Sequence, residues 1–296
     1  MELKFVMMVG LPGSGKSTIA EELAKQYNAT ILSSDKYREK LLGNEEDQTN
    51  NQLVFMTLYK GMRELLKSGN SVVYDATNMS MKDRSFALGN ISTIKCDKIA
   101  YVVNEDVSVC KERNSTRERK VPDFVYDKML SKFVFPHTLE GFTSVVLHKR
   151  SDEFGTERED ILGVMEQFNQ KSKYHKYLLG EHCRRVSEIL SDCGIDLQEA
   201  AIWHDVGKLF TQTFDEDGYA HFYGHAGYSA YYLASRPWLV DKGADFDEVL
   251  FYVSQHMHIR DIMTSEKACK RYLDIFGEKR FNNLKKFMDA DDIACK

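Results

Sequence analysis

Eight residues near the start of the chain, Gly10-Leu11-Pro12-Gly13-Ser14-Gly15-Lys16-Ser17, have the spacing G-x-x-x-x-G-K-S. Residues of these types can hold phosphate. Glycines let the backbone turn until several N–H groups converge on one point, and a lysine and a hydroxyl stand beside them. In this reading Gly10, Gly13, Ser14, Gly15, Lys16, Ser17 and Thr18 bind ATP or another nucleoside triphosphate. Lys16 reaches the outer phosphates, and the Ser17 hydroxyl ligates the Mg²⁺ that accompanies them. The alternative is an ordinary glycine-rich turn, and the flanks weigh against it. Residues 3–9 form an apolar run of strand length, and Ile19, Ala20, Leu23 and Ala24 share one helical face directly after the loop.

Further along, acids and arginines recur where strands are expected to end. Asp35 and Arg38, three apart, follow the strand-like run 29–33. There a carboxylate could take a proton from an attacking hydroxyl, and a guanidinium could fork onto an acceptor phosphate. A helix cap at Ser34 or Asp35 with a solvated arginine is the competing reading. Asp75 ends the run 71–75 and leads into Ala76, Thr77 and Asn78; it either serves the metal or attacking group, or caps the next helix, and Asp75, Thr77 and Asn78 are candidates for substrate contacts. Arg84 is a candidate for acceptor contacts. Arg113 and Arg117, four apart, fit a lid that closes cations over a transferring phosphoryl group, or a mixed-charge surface helix.

The second half carries a different chemistry. Seven of the nine histidines fall between His175 and His258. His204 and Asp205 are adjacent, with Gly207 and Lys208 behind them; an imidazole and a carboxylate so placed can share one metal. His182, His225, His256 and Asp291 are further ligand candidates. His258 competes with His256, and Asp289 and Asp292 compete with Asp291. His175 is a candidate substrate group, and Lys208 could offset charge on a departing phosphate.

These residues need two kinds of scaffold. Strand-like runs at 3–9, 29–33, 71–75, 98–104 and 141–147 alternate with helical segments, which predicts an α/β domain with a parallel sheet and helices on both faces over 1–150. A charged, glycine-broken linker is expected at 151–158. Segments near 159–168, 175–191, 196–209, 225–235, 244–258, 263–276 and 281–294 read as helices with no convincing strand, so 159–296 is expected to be all-α. The sequence stops five residues after Asp291, so the last helix is expected to be short and to hold its ligand less firmly.

Composition narrows the classes. The 296 residues are 43% hydrophobic, enough for two cores, and no segment predicts a membrane span. Six scattered cysteines without a C-x-x-C pair suggest reduced thiols. With no leader pattern, the expected compartment is the cytoplasm, or a host's cytoplasm if the source is viral. A net charge of −5 excludes a global basic field, though Lys82, Arg84, Arg113, Arg117, Arg119 and Lys120 could supply a local track.

The phosphate loop, Ser34-Asp35-Lys36-Tyr37-Arg38, Val73-Tyr74-Asp75-Ala76-Thr77-Asn78 and Arg113-Asn114-Ser115-Thr116-Arg117 occur in order. Together they resemble the P-loop kinase domain of polynucleotide 5′-kinases over residues 1–150. The resemblance implies Asp35 as general base, Arg38 as a clamp on the acceptor's phosphate, and Arg117 supported by Arg113 as the lid. Residues 159–296 resemble the HD phosphohydrolase superfamily, all-α metal enzymes that cleave phosphoesters. The matches are His182, the pair His204-Asp205 and Asp291, with His225 and His256 at positions of a second metal. The donor set suits Mn²⁺, Fe, Co²⁺, Ni²⁺ or Zn²⁺ better than Ca²⁺.

A kinase fused to an HD phosphatase resembles end-healing enzymes of bacteria and phages. The resemblance implies ATP-dependent phosphorylation of 5′-hydroxyl ends and removal of 2′,3′-cyclic, 2′- or 3′-phosphates, with RNA the expected strand and a separate RNA ligase the expected downstream partner. A metabolite or nucleoside kinase fused to a nucleotidase is the other enzyme reading, and a degenerate nucleotide or metal sensor the non-enzyme one. Intact Lys16, Asp35 and His204-Asp205 argue against the sensor.

Overall fold

The computed structural model describes residues 2–45, 47, 49–117, 120–148, 157–173 and 175–296. Most of the expected linker, through residue 156, lies outside these, as does Arg119. The chain divides into two compact units, Met1–Met129 with Pro136–Arg150 and Leu130–Phe135 with Ser151–Lys296. The second unit thus takes in Leu130–Phe135, which the expected division at 150 left with the first. The reason is local packing: the Phe133 ring stands edge-on to Tyr231 at 5.3 Å, and both are buried.

The first unit is built on a five-stranded sheet, β1 (Lys4–Val9), β2 (Ala29–Ser33), β3 (Ser71–Asp75), β4 (Asp97–Val102) and β5 (Ser144–Leu147). The order is β2-β3-β1-β4-β5, and every pairing is parallel. Strand periodicity explains the two faces. Phe5 and Met7 point to one side with Tyr74, where α3 (Asn51–Lys67) and α4 (Met81–Asn90) bring Leu58, Met62 and Ala87. Val6 and Met8 point to the other, where α1 (Lys16–Tyr27) brings Ala20 and Leu23. A strand buried on both faces must be apolar where it is covered, and β1 from Phe5 to Val9 and the Val72–Val73–Tyr74 centre of β3 are. Helices α2 (Ser34–Leu42), α5 (Val107–Ser115) and α6 (Asp123–Leu130) complete the unit. This arrangement fits a P-loop kinase domain.

The second unit is predominantly helical: α7 (Arg158–Gln167), α8 (Leu179–Ile189), α9 (Ile195–Trp203), α10 (Lys208–Thr211), α11 (His225–Ala234), α12 (Phe246–Gln255), α13 (His258–Ile262) and α14 (Glu266–Ala294). It differs from expectation in three ways. Residues 196–209 are not one helix: the chain turns through His204–Gly207 between α9 and α10. Two short antiparallel strands, β6 (Thr213–Phe214) and β7 (Ala220–His221), form a hairpin, so the unit is not purely α. A two-residue strand is too short to show alternation in sequence. The final helix is long, not short, and kinks at Gly277 (φ 81°, ψ 164°), where only glycine is comfortable. All six cysteines are free. Among the described residues no helix is long and apolar enough to cross a membrane.

Candidate functional site

Each unit gathers its own set of polar side chains. In the first, the phosphate loop joins β1 to α1, with Gly13 and Gly15 at positive φ (79° and 92°). At Gly13 the loop lies so close to the Cys110 carbonyl that a Cβ would collide with it. The Tyr126 hydroxyl donates to the Pro12 carbonyl at 3.1 Å. Lys16 is buried; its ammonium donates to the Leu11 carbonyl at 2.5 Å and lies 3.5 Å from Ser14 Oγ. Burial lowers the Lys16 pKa to about 8, against the pull of Asp75 and helped by the charge of Arg117. A cation held this way is stabilised by an arriving phosphate.

Ser17 Oγ donates to Asp75 Oδ2 at 2.9 Å. The pair brings the end of β3 to the start of α1, where a magnesium ion on the phosphates would be held. Asp75 therefore stands with the Ser17 hydroxyl of the phosphate loop and not with the Asp35–Arg38 pair. The Thr77 carbonyl accepts from Gly10 N–H at 3.0 Å, and Thr18 is exposed in the first turn of α1. Asn78 differs from its expected substrate role: it is buried, with φ 46°, and its amide donates to the Met8 carbonyl at 2.8 Å. That side chain fastens β1.

Asp35 and Arg38 form an ion pair at 2.8 Å in the first turns of α2. The N-cap of α2 is Ser33, so neither Ser34 nor Asp35 is spent as the cap. Arg38 is buried, and its other terminal nitrogen donates to Asn51 Oδ1 at 3.1 Å. Sequence reasoning missed Asn51, because only the tertiary fold brings the start of α3 beside α2. Arg84 is a correction. Its guanidinium is fully buried, bonded to both oxygens of Glu140 at 2.8 and 2.7 Å and to the Asn78 and Met79 carbonyls. Four of its five N–H groups are engaged and none of its surface is open, so it is not presented to an acceptor. The lid geometry also differs: α5 ends at Ser115, so Arg117 lies beyond the helix and shares no helical face with Arg113. Arg113 meets Glu105 at 3.2 Å and approaches the Gly13 carbonyl at 3.5 Å.

In the second unit, α8, the α9–α10 turn, α11, α12 and α14 bring together His182, His204, Asp205, His225, His256 and Asp291. His182 Nε2 is 3.1 Å from Asp291 Oδ1 and 3.5 Å from Asp205 Oδ2. His204 Nε2 is 3.3 Å from Asp205 Oδ2 and 3.8 Å from Asp291 Oδ1. The other Asp205 oxygen, Oδ1, faces His225 Nε2 at 3.1 Å and His256 Nε2 at 3.8 Å. Asp205 thus presents one oxygen to each of two imidazole groups. The competition left open in the sequence resolves by geometry: Asp291 and His256 enter the cluster, and Asp292 is exposed and paired with Arg260. Asp291 is itself held by Arg260 at 2.9 Å, so it is firmly anchored, contrary to expectation.

Three histidines share one device. His204, His225 and His256 each turn Nδ1 toward the carbonyl three residues upstream, Ala201, Phe222 and Val253, at 2.7, 2.8 and 2.8 Å. A proton on each Nδ1 leaves an Nε2 lone pair aimed at the cluster centre, the arrangement metal-bound imidazoles use. His204 Nε2 and both ring nitrogens of His182 are buried without a hydrogen-bond partner. Buried lone pairs are costly unless something accepts them, and a transition-metal ion is what this donor set fits. Burial alone would raise the Asp205 carboxyl, but His204 and Lys208 outweigh it and hold it well below the usual range. Lys208 is buried, 2.6 Å from Asp205 Oδ2, 2.9 Å from Gln170 Oε1 and 3.2 Å from His175 Nε2. His175 also meets Cys295 Sγ at 3.3 Å, a neighbour the sequence did not suggest.

Residues 5–136 match the family model described as an AAA domain. No curated protein matches the chain. Among solved structures, the chain is similar to a sugar kinase from Janibacter (17% identity, TM-score 0.39, covering 49% of this chain and 85% of that one). It is similar to a chain of the Pnkp1/Rnl/Hen1 RNA repair complex (21% identity, TM-score 0.40, 44% of each chain). It is also similar to the Mycobacterium tuberculosis APS kinase CysC in complex with AMPPNP and APS (19% identity, TM-score 0.38, 51% of this chain and 91% of that one).

Proposed function

We propose that the chain is a bifunctional end-healing enzyme. Its first unit moves the terminal phosphoryl group of ATP onto a 5′-hydroxyl end, RNA being the favoured strand. Its second unit removes a 2′,3′-cyclic, 2′- or 3′-phosphate. The observation that carries the second activity is the Asp205 carboxylate between two imidazole groups, with Nδ1 of His204, His225 and His256 anchored and Nε2 aimed inward. The AAA-domain match and the Lys16, Ser17 and Asp75 geometry support the nucleotide site.

In the kinase reaction, the acceptor oxygen bonds to the terminal phosphorus while the bond to the bridging oxygen breaks and ADP departs. Asp35 takes the hydroxyl proton, Arg38 holds the acceptor's phosphate, and Asn51 steers Arg38. Lys16, Arg113 and Arg117 offset the charge on the moving group. Ser17 and Asp75 would hold Mg²⁺. In the second unit, His182, His204, Asp205 and Asp291 would hold one divalent ion of the Mn, Fe, Co, Ni or Zn type, and Asp205, His225 and His256 a second. Such an ion, when bound, lowers the pKa of a water molecule and polarises a phosphoryl oxygen. Lys208 counters charge on the phosphate, and His175 stands beside it. The products, a 5′-phosphate and a 3′-hydroxyl, are the ends a separate RNA ligase would join.

The net charge of −5 favours a second reading, a metabolite or nucleoside kinase joined to a nucleotidase. One experiment separates the two. A short RNA with a 5′-hydroxyl and a 2′,3′-cyclic phosphate is incubated with enzyme, ATP, Mg²⁺ and Mn²⁺, and both ends are resolved. End healing requires a 5′-phosphate that is lost in Lys16→Ala and a changed 3′ end that is lost in Asp205→Ala. Unchanged RNA with turnover of free nucleosides or nucleotides establishes the second reading instead.

A further inference from the structure

The β6–β7 hairpin joins the Lys208 helix to the His225 helix, so it enters and leaves the metal-type cluster at both ends. Its side chains are not those of an ordinary connection. Phe214, Tyr219 and Tyr223 are exposed, Tyr223 to 76%. The His221 and Tyr223 rings lie nearly parallel, 4° apart in plane with centroids at 5.5 Å. A ring left that open on a soluble surface has a flat face for another flat ring.

A lysine-bearing segment lies along this hairpin. The Ala220 N–H donates to the Lys171 carbonyl at 3.0 Å. Lys171 Nζ sits 5.6 Å over the Phe214 ring, and Lys173 Nζ sits 4.1 Å over the Tyr219 ring. Lys171 holds a positive φ of 45°, whereas the other non-glycine residues that do so among those described are both asparagines. Such a backbone is strained for a lysine and persists because its surroundings impose it. The acids of the hairpin, Asp215, Glu216 and Asp217, are confined to its turn: Asp215 pairs with His221 at 3.1 Å, Asp217 lies 3.9 Å from Lys173, and Glu216 is exposed. From the ribbon a chain of side-chain contacts runs inward. Phe222, next to His221, lies under Lys208 Nζ at 5.4 Å, and Lys208 touches both Asp205 and His175.

We infer that this ribbon is a stacking platform for the terminal nucleotides of a single strand, feeding a 3′ phosphoester to the Asp205 cluster. Exposed aromatic faces with cations beside them bind unpaired bases and their phosphates with little regard to sequence. The His221–Tyr223 pair takes one base, Phe214 and Tyr219 extend the surface, and Lys171 and Lys173 meet the backbone phosphates. The inference rests on the phosphoesterase reading above and specifies its substrate: an oligonucleotide end in preference to a free nucleotide.

The test compares wild type with Tyr223→Ala, Tyr223→Trp and Tyr219→Ala in the full chain. Binding of a fluorescein-labelled ten-nucleotide single-stranded RNA with a 3′-phosphate is read by anisotropy, and hydrolysis of p-nitrophenyl phosphate with Mn²⁺ is read alongside. Each alanine variant is expected to weaken RNA binding by about 5-fold or more, the lower end of what losing one stacked base costs. Tyr223→Trp is expected to retain binding, and hydrolysis of the small ester is expected to stay at the wild-type rate. Unchanged RNA affinity in both alanine variants overturns the inference. So does a wild-type dimer dispersed by Tyr223→Ala, which would make the ribbon a contact between copies. Failure of wild type to hydrolyse any phosphoester defeats the phosphoesterase reading alone, because the binding arm needs no turnover.

Discussion

Lys16 and Arg84 are both buried cations, and their surroundings assign them opposite roles. Lys16 has a carbonyl and a hydroxyl for company and no carboxylate in contact, so burial depresses its pKa to about 8. A cation kept short of partners adds nothing to folding. Lys16→Met is therefore expected to leave the thermal midpoint unchanged or slightly higher while cutting ATP-dependent phosphorylation by about 10²-fold or more. A fall in midpoint with activity retained would assign Lys16 to structure. Arg84 is well partnered, with Glu140 on one side and two carbonyls on the other. Arg84→Ala leaves the Glu140 carboxylate buried without its counter-charge, which costs about 3–5 kcal/mol. Urea unfolding is expected to register that loss; a variant of full stability with a raised acceptor KM would restore Arg84 to the binding site. The sequence could not separate these two residues. The glycine spacing around Lys16 is a local signal, whereas Glu140 reaches Arg84 from far along the chain.

Helices deliver the histidines, and their breaks matter as much as their lengths. The kink at Gly277 sets the direction of the part of α14 that carries Asp291. Its φ and ψ lie where a Cβ is strained by about 1–3 kcal/mol. Gly277→Ala is thus expected to lower stability by that amount and to reduce the metal retained after gel filtration, measured by elemental analysis. Full metal content would show that Arg260 alone suffices to hold Asp291. Much of this scale was legible. Strands β1, β2 and β3 coincide with or fall within one residue of the runs read from apolar spacing. The break after Trp203 was not legible, since Ile195 to Thr211 is apolar enough for one helix and only the close crossing at Gly207 reveals the turn. There a Cβ would strike the His225 carbonyl and the Ser229 amide. Nor was the β6–β7 hairpin, which is held by its turn and by Lys171 more than by any strand pattern.

At the scale of the molecule, the two units have separate cores and separate polar sites, and the two activities are expected to be separable. Asp205→Asn should abolish removal of the 3′ phosphate while 5′ phosphorylation proceeds at the wild-type rate, and Lys16→Met should do the reverse. Loss of both activities in either variant would mean that the two sites work as one. Metal should also stabilise the protein. Mn²⁺ or Ni²⁺ at a hundred times its dissociation constant contributes about 2.7 kcal/mol if it binds only the folded state. Calorimetry is therefore expected to show a midpoint that rises with metal, falls with chelator, and responds to neither in Asp205→Asn. The orientation of each donor came only with the fold, because no spacing rule gives the side to which an imidazole turns its Nδ1.

The contact between Gly13 and Cys110 has a consequence beyond steric fit. The phosphate loop rests against the backbone of α5, and Tyr126 on α6 is bonded to the loop at Pro12. A nucleotide that quiets the loop is expected to restrain these two helices with it. Amide deuterium uptake in residues 107–115 and 123–130 is therefore expected to slow when ADP is added. That protection would trace a mechanical linkage, with the loop as the hub on which neighbouring helices are hung.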